Sequence, residues 1–448
     1  MAKLEKGSKK LLNAWAFYDW ANSVYTLTIA SSIFPIFYSA LFVSQTEKVV
    51  HAFGMVFKST ALITYVTAFT FLVVAFTSPI LSGISDYVGN KKNFLKFFCY
   101  VGGLGCIGLY WFSLESIHLS LLFYFMGLIG YWGSLVFYNS YLPDIAYPEQ
   151  QDSISAKGFS LGYVGSVLLL LINLFMVLRP ELLSIEDNIT ENGKVIETAS
   201  QVAMRYSFIM VGIWWIGFSQ YSFYILPKGV SKGHKVTKAV VFNGLKELKT
   251  VWIQLNQNLR LKRYLVAFFV FSMAVQTIML VAVYFGEEEI AWGGSDAKTM
   301  GLIVSILIIQ LVAILGAFLT SRASAKYGNI KTLIIVNCIW MALCFYAYFM
   351  VTPIQFYIAA GFVGLVMGGV QSLARSTYSK FLPETEDTTS YFSFYDVAEK
   401  IGIVIGMVIF ATIDQITGSM RNAILFLFVF FLIGIVLLFR VPKQGELN

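Results

Sequence analysis

The chain has 448 residues, of which 57% are hydrophobic and 13% charged, and 32 Lys+Arg against 25 Asp+Glu leave a net charge of +7. A soluble globular protein carries about 25% charged and 45–50% apolar residues, so a mean hydropathy of +0.71 argues against a soluble enzyme. The aromatic content of 17%, with 40 Phe and 25 Tyr, excludes low-complexity disorder.

The basic residues sit in short clusters at the ends of apolar runs, whereas nucleic-acid binders gather them on one face, so nucleic acid is not an expected partner. Cys99, Cys106, Cys338 and Cys344 all fall within apolar runs and read as small buried hydrophobes, with no disulfide framework or metal site.

Crossing the hydrocarbon core as a helix takes about 20 apolar residues, and twelve such runs can be laid along the chain. They are 14–44, 60–82, 93–113, 118–142, 159–178 and 206–226, then, past a polar stretch, 264–285, 299–321, 331–351, 354–379, 391–413 and 421–440. The runs are too long and too continuously apolar for alternating barrel strands, and a bilayer satisfies no unpaired backbone groups, so they are helices. The first is longer than the apolar core of a cleaved signal peptide and carries Asp19 and Asn22, so it stays as the first helix.

With the N-terminus inside, 22 of the 32 Lys/Arg fall on inside segments, 7 on outside segments, and Lys96, Arg375 and Lys400 within helices. This bias predicts a multi-pass protein with both termini cytoplasmic. The most basic connection, 227–263, divides the chain into six helices (1–226) and six (264–448), and its middle, 240–259, has the pattern of an amphipathic helix on the membrane face.

The halves repeat. YNSYLPD, Tyr138–Asp144, ends the fourth run, and YSKFLPE, Tyr378–Glu384, ends the tenth; Gly89-Asn90 follows the second and Gly328-Asn329 the eighth, at offsets of 240 and 239. Two matches at nearly one offset imply a duplicated six-helix unit.

After the second run comes Ser82-Gly83-Ile84-Ser85-Asp86-Tyr87-Val88-Gly89-Asn90-Lys91-Lys92. Gly89 permits a tight turn, Asp86 can face the N-terminal end of a neighbouring helix, and Lys91 and Lys92 hold the loop inside. This string resembles the signature loop of the major facilitator superfamily, which implies an all-α membrane fold of two pseudo-symmetric six-helix bundles and a gating role for the loop. The second half has Ala325 where the acid would be.

A narrower resemblance starts at Asn13-Ala14-Trp15-Ala16-Phe17-Tyr18-Asp19-Trp20-Ala21-Asn22-Ser23. It continues through Lys157-Gly158, Gly162-Tyr163, Trp214-Trp215, Phe218-Ser219-Gln220, Gln276-Thr277, Gln371, Arg375-Ser376 and Lys400. The chain resembles the fungal vacuolar amino-acid effluxers linked to autophagy and their bacterial relatives. That resemblance implies a secondary transporter of amino acids or similar zwitterions working in the export direction. The chain departs from the family at Asp396 and Glu399, where an amide and a small residue are expected.

Charges inside spanning helices cost at least a few kcal/mol each and need a partner, water or a task. Asp19, with Asn22 and Ser23 on its face, reads either as a gate or protonatable carboxylate or as an anchor for the helix end. Arg375 lies eight residues before Pro383, about 12 Å deep. It cannot discharge, so it reads as a structural pair with Glu399 or Asp396, a substrate contact, or a gating pair. Asp396 and Lys400, four apart, neutralise one another along the helix, which leaves Glu399 as the acid most free to point elsewhere and a second candidate proton site.

Trp214, Trp215, Tyr131 and Trp132 read more as packing than as a pocket. Glycines 102, 103, 105, 127, 130 and 133, with 361, 364, 368 and 369, allow close helix contact. Asn188-Ile189-Thr190 is a chance-level glycosylation triplet, and His51, His118 and His234 share no metal-ligand spacing.

The expected protein is a monomeric secondary transporter in a bacterial inner membrane, without cofactor or metal. Its partners are a small solute, lipids and coupling protons. The path would be lined by Asp19, Tyr138, Asn139, Gln276, Gln371 and Arg375. Transport of sugars, peptides or lipids, or a receptor or scaffold role for the basic linker, are the alternatives.

Overall fold

The computed structural model describes residues 4–42, 49–189, 195–229 and 240–443. Lys3, Lys48, Lys194, Lys232, Lys235 and Lys238 of the charge count, Thr190 of the glycosylation triplet and His234 lie outside the described residues.

The first span is broken: α1 (Lys9–Asn22), a π-helical stretch (Tyr25–Ala30) and α2 (Ile33–Ala40). The hydroxyl of Thr26 donates to the Ser23 carbonyl at 2.8 Å and that of Ser32 to the Leu27 carbonyl. These side chains compete for the carbonyls of the helical ladder at the break, and Pro35 one turn later has no N–H to give. A hairpin, β1 (Val49–Ala52) and β2 (Met55–Lys58), leads into α3 (Ser59–Val88), α4 (Lys91–Gly108), α5 (Ile117–Asn139), the short α6 (Tyr141–Ile145) and α7 (Pro148–Leu178). A second hairpin, β3 (Asn188–Ile189) and β4 (Val195–Glu197), precedes α8 (Ala199–Ile225). After α9 (Val240–Gln257) come α10 (Leu259–Glu289), α11 (Ser295–Tyr327), α12 (Asn329–Phe349), α13 (Pro353–Phe381), α14 (Thr388–Thr417) and α15 (Met420–Phe439).

These helices form two bundles, α1–α8 and α10–α15, with α9 between them in sequence. Eleven helices or helix pairs among the described residues are long and apolar enough to cross a bilayer. The remaining long one, α14, has 30 residues, about 45 Å of helix. It packs on α3, α10 and α15 and carries Asp396, Glu399, Lys400 and Asp414 along its length.

Several helices overrun their apolar runs. α3 continues past residue 82 to Val88, and α7 begins at Pro148 instead of 159. Polar ends remain helical because the two bundles pair them with each other. The face that carries both termini and α9 is the terminal face below, and the opposite one, with the two strand hairpins, is the hairpin face.

The duplication is visible in the backbone. Gly89 (φ +73°) and Gly328 (φ +86°) end α3 and α11 in the left-handed region that a side chain disfavours. On the hairpin face, Arg205 at the start of α8 pairs with Glu197 at 2.5 Å and donates to the Tyr110 carbonyl beyond α4. Arg421 at the start of α15 likewise pairs with Glu289 at 2.7 Å and donates to the Met350 carbonyl beyond α12 at 2.5 Å. Each bundle is thus braced by one arginine clamping the end of its third long helix.

The linker helix does more than lie on a membrane face. A Cβ on Gly83 of α3 would come within 2.3 Å of the Gly244 carbonyl oxygen, so α9 crosses α3 backbone to backbone. The Tyr391 hydroxyl of α14 donates to Gln254 Oε1 at 3.0 Å, and Trp252 lies against Phe394. One helix therefore touches both bundles.

Cys99, Cys106 and Cys344 are buried, whereas Cys338 is exposed. In a bilayer an apolar run faces lipid as well as the core, so apolar sequence context alone does not imply burial.

Close glycine contacts bind neighbours inside each bundle. A Cβ on Gly130 of α5 would sit 2.2 Å from the Gly102 Cα of α4, and one on Gly368 of α13 would sit 2.2 Å from the Ala313 carbonyl oxygen of α11. Gly130→Val should therefore cost about 1–3 kcal/mol of overpacking and lower the thermal unfolding midpoint in detergent. Gly361→Ala, whose Cβ would meet only Ile308 at 4.0 Å, should leave it within error.

Candidate functional site

Three tiers of polar contacts join the bundles in the terminal half of the molecule. Antiparallel α7 and α13 supply the middle of each tier: Asp152, Ser155 and Tyr163 on α7 meet Lys380, Arg375 and Gln371 on α13.

The first tier lies at the terminal face. Asp86 belongs to the last turn of α3 and not to the loop, and its Oδ2 accepts from the Ser390 backbone N–H at 2.6 Å. It so caps the first turn of α14, whose orphan N–H groups and positive dipole end favour a carboxylate. Lys91 is buried, with an ion pair to Asp144 at 2.5 Å and hydrogen bonds to the Ser140 carbonyl at 3.1 Å and Thr388 Oγ1 at 2.8 Å. Lys92 instead donates to the Leu226 carbonyl at 2.7 Å and stays within its own bundle.

The pseudo-equivalent corner lacks the acid at Ala325, and Asp152 from the other bundle takes its place. Its carboxylate pairs with Lys380 at 2.6 Å and accepts from Ser324 Oγ at 2.8 Å and Asn329 Nδ2 at 3.0 Å. Asp152 was missed from sequence because an acid in the first turns of a helix reads as an ordinary complement to the dipole. The clue was the empty acid position at 325 beside a retained Gly328-Asn329.

The second tier is built around Arg375. Its Nη1 and Nη2 lie 3.4 and 3.3 Å from Asp19 Oδ2, Nη1 donates to Asn139 Oδ1 at 3.3 Å, and Nε donates to Ser155 Oγ at 3.0 Å. Nη2 also reaches the Ser155 carbonyl at 3.1 Å, and the Ser155 hydroxyl donates on to the Ser372 carbonyl at 2.7 Å. The Tyr138 hydroxyl donates to the same Asp19 oxygen at 2.8 Å. The guanidinium is stacked among Trp15, Tyr138 and Phe159, with ring centroids at 4.8, 5.5 and 4.2 Å.

Arg375 therefore pairs with Asp19 in the other bundle, and not with Glu399 or Asp396, two of the alternatives open from sequence. Both side chains are nearly inaccessible, at 4% and 6% exposed. Removing one partner strands a buried charge, at about 3–5 kcal/mol. Gly158 makes the approach feasible: a Cβ there would sit 2.5 Å from Asp19 Oδ2 and 3.2 Å from Arg375 Nη2.

The third tier lies on the hairpin side of the Arg375 cluster. Tyr163 donates to Gln371 Oε1 at 2.9 Å across the bundles. In α14, Lys400 makes the i,i+4 contact with Asp396 and also lies 3.3 Å from Glu399 Oε2. Glu399 is thus less free than its helical angle implies, and its Oε1 accepts from Gln276 Nε2 at 2.8 Å. Lys400 Nζ sits 4.2 Å over the Trp132 ring of the first bundle.

Asn22 is fully buried one turn from Asp19; its Oδ1 is 3.4 Å from Ser23 Oγ, and its Nδ2 has no hydrogen-bond partner among the described residues. Of the aromatics, Trp215 is a packing residue against Gly102, whereas Tyr131 and Trp132 are half-buried, Tyr131 stacked on Tyr25 and Trp132 under Lys400.

The arrangement holds two clusters of paired opposite charges, one centred on Arg375 and Asp19, the other on Lys400, Asp396 and Glu399. Asp152→Ala should free three donors across the terminal face. Bonds to charged groups contribute about 1.5–3 kcal/mol, so conformers open on that face should gain roughly tenfold or more in population. Spin labels on exposed Glu149 and Lys326 would report this as a longer-distance peak, and an unshifted distribution would show that this corner does not hold the bundles together.

A family profile described as "Vacuole effluxer Atg22 like" matches residues 7–446. The chain is 30% identical over 436 residues to an uncharacterized MFS-type transporter, YxiO, of Bacillus subtilis, covering 96% of this chain and 95% of the relative. It is 24% identical to Autophagy-related protein 22 of Eremothecium gossypii, covering 89% and 78%. Among solved structures, the Escherichia coli fucose:proton symporter FucP superposes with a TM-score of 0.68 at 15% identity, covering 97% of this chain and 98% of that one. The proton:xylose symporter XylE superposes with a TM-score of 0.68 at 14% identity, covering 97% and 95%. The matched helices, their two-bundle arrangement and the near full-length profile place the chain in the Atg22-like family of major facilitator superfamily transporters.

Proposed function

We propose that the chain moves small zwitterionic solutes, amino acids first, by alternating access, with proton coupling and in the export direction. The observation that carries this reading is the buried Asp19–Arg375 pair, which spans the two bundles at 3.3 Å. A solute with both a carboxylate and an ammonium group can replace each partner in turn, so neither buried charge is stranded while the bundles separate. A neutral sugar offers no such exchange. Tyr138, Asn139 and the unpartnered amide of Asn22 surround the same point and supply orienting hydrogen bonds.

The terminal face is taken as cytoplasmic because the sequence places 22 Lys/Arg on segments of one side against 7 on the other. The three tiers hold the bundles together on that side. The Bacillus relative supports a bacterial inner membrane, and the effluxer description of the family supports export. Proton coupling is assigned to Glu399, the partly exposed acid of α14 held by a neutral amide on one side and by Lys400 on the other. The chain is taken to act as a monomer, with the units 1–226 and 264–448 rocking about 227–263.

Counterflow into proteoliposomes preloaded with mixed amino acids tests the reading. Wild type should show saturable uptake accelerated by an imposed pH gradient, and Arg375→Gln should reduce it about 100-fold or more while still eluting as a monodisperse species. Glu399→Gln should keep exchange but lose the gradient effect. No counterflow for any amino acid would reject the solute class and turn the search to sugars, peptides or lipids; loss of folding in the Arg375 variant alone would make that residue structural.

A further inference from the structure

Away from the contacts between the bundles, a groove of about 480 Å³ lies on the flank of the first bundle between α7 and α8, with α1 as its floor. Its walls are Phe17, Leu161, Phe218 and Tyr221, and Phe218 and Tyr221 are exposed on the flank. Lys157 and Asn13 close its terminal end, where Lys157 Nζ donates to Asn13 Oδ1 at 2.7 Å.

The depth of that ammonium is set by its neighbours. Lys157 leaves α7 two residues before the apolar run 159–178, and it reaches back to Asn13, one residue before the apolar run 14–44. The edges of spanning apolar runs are where helices meet the headgroups. A lysine stem lying along apolar surface with its charge turned toward the interface is ordinary. What is not ordinary is the end point: a partly buried cation whose partner is a neutral amide, and which makes no ion pair among the described residues. An ammonium has three donors, and Asn13 takes one.

The groove beside it is shallow and open along the flank. On α8, Gly217 leaves the wall bare, and a Cβ added there would meet nothing within 4 Å. A cation at the edge of two apolar runs, beside an apolar groove, is complementary to a phosphate that carries a hydrocarbon chain.

We propose that this groove binds an anionic phospholipid of the leaflet on the terminal face, with its phosphate on Lys157 and one acyl chain between α7 and α8. The site lies directly behind the gate, since Lys157 adjoins Gly158, which packs on Asp19 and Arg375, and Phe17 lies two residues from Asp19. The proposal is independent of the transported solute: counterflow can fail while lipid retention stands.

The test reconstitutes the full chain in vesicles of equal phosphatidylglycerol and phosphatidylcholine, releases it into detergent and weighs the retained lipid by native mass spectrometry. Wild type and Lys157→Arg should retain phosphatidylglycerol over phosphatidylcholine, and Lys157→Gln should lower that preference about fivefold. Gly217→Leu, which fills the channel and leaves the charge, should reduce retention of both lipids. Equal retention of the two lipids by wild type, an unchanged preference in Lys157→Gln, or full retention in Gly217→Leu would overturn the proposal and leave Lys157 as a lysine that merely reaches for water.

Discussion

A guanidinium inside a membrane protein cannot lose its charge, and the rest of this molecule is arranged around that constraint. Arg375 sits on the second bundle and its countercharge, Asp19, on the first. A buried ion pair in the interior therefore crosses the surface between the bundles. Trp15, Tyr138 and Phe159 wall the charge from lipid, Ser155 and Asn139 take the remaining donors, and the absence of a side chain at Gly158 lets α7 come close enough for all of this. Had the partner lain on the same bundle, the pair would stiffen one half and say nothing about the other. Placed across the interface, it ties the energy of the charge to the position of the halves.

The outer corners obey the same logic with smaller stakes. Asp86 reaches across to cap α14, and Asp152 reaches across to Ser324, Asn329 and Lys380. One corner keeps its acid on the helix that ends at the loop, and the other keeps it on the helix opposite, yet at each a carboxylate of the first bundle accepts donors from the second. What duplication preserved is the contact, and the residue that supplies it has changed sides.

Local relations were legible in the sequence, and long-range ones were not. The left-handed turn at Gly89 and the i,i+4 pairing of Asp396 with Lys400 each depend on a few neighbouring residues or on one helix geometry; that Asp86 could cap a helix end was legible, but the helix it caps starts about 300 positions on. The duplicated offset reported twelve helices in two units because hydropathy survives divergence. The partner of Arg375 lies 356 positions away. No periodicity connects the two, and acids in α14 stood nearer in sequence, so only packing could choose among them. Helix ends were misjudged at α3 and α7 for a related reason: polar residues look like loops until a second bundle is there to pair with them.

The crossing of α9 over α3 gives the connecting segment a mechanical character. With Gly244 pressed onto Gly83, and with Gln254 and Trp252 against Tyr391 and Phe394 of α14, the helix is fastened to both halves and acts as a strap in parallel with the ion pairs. A strap limits travel as well as holding a rest position. Any parting of the bundles on that face has to bend, slide or release this helix, so resistance to opening also resides in a part of the chain remote from the buried charges.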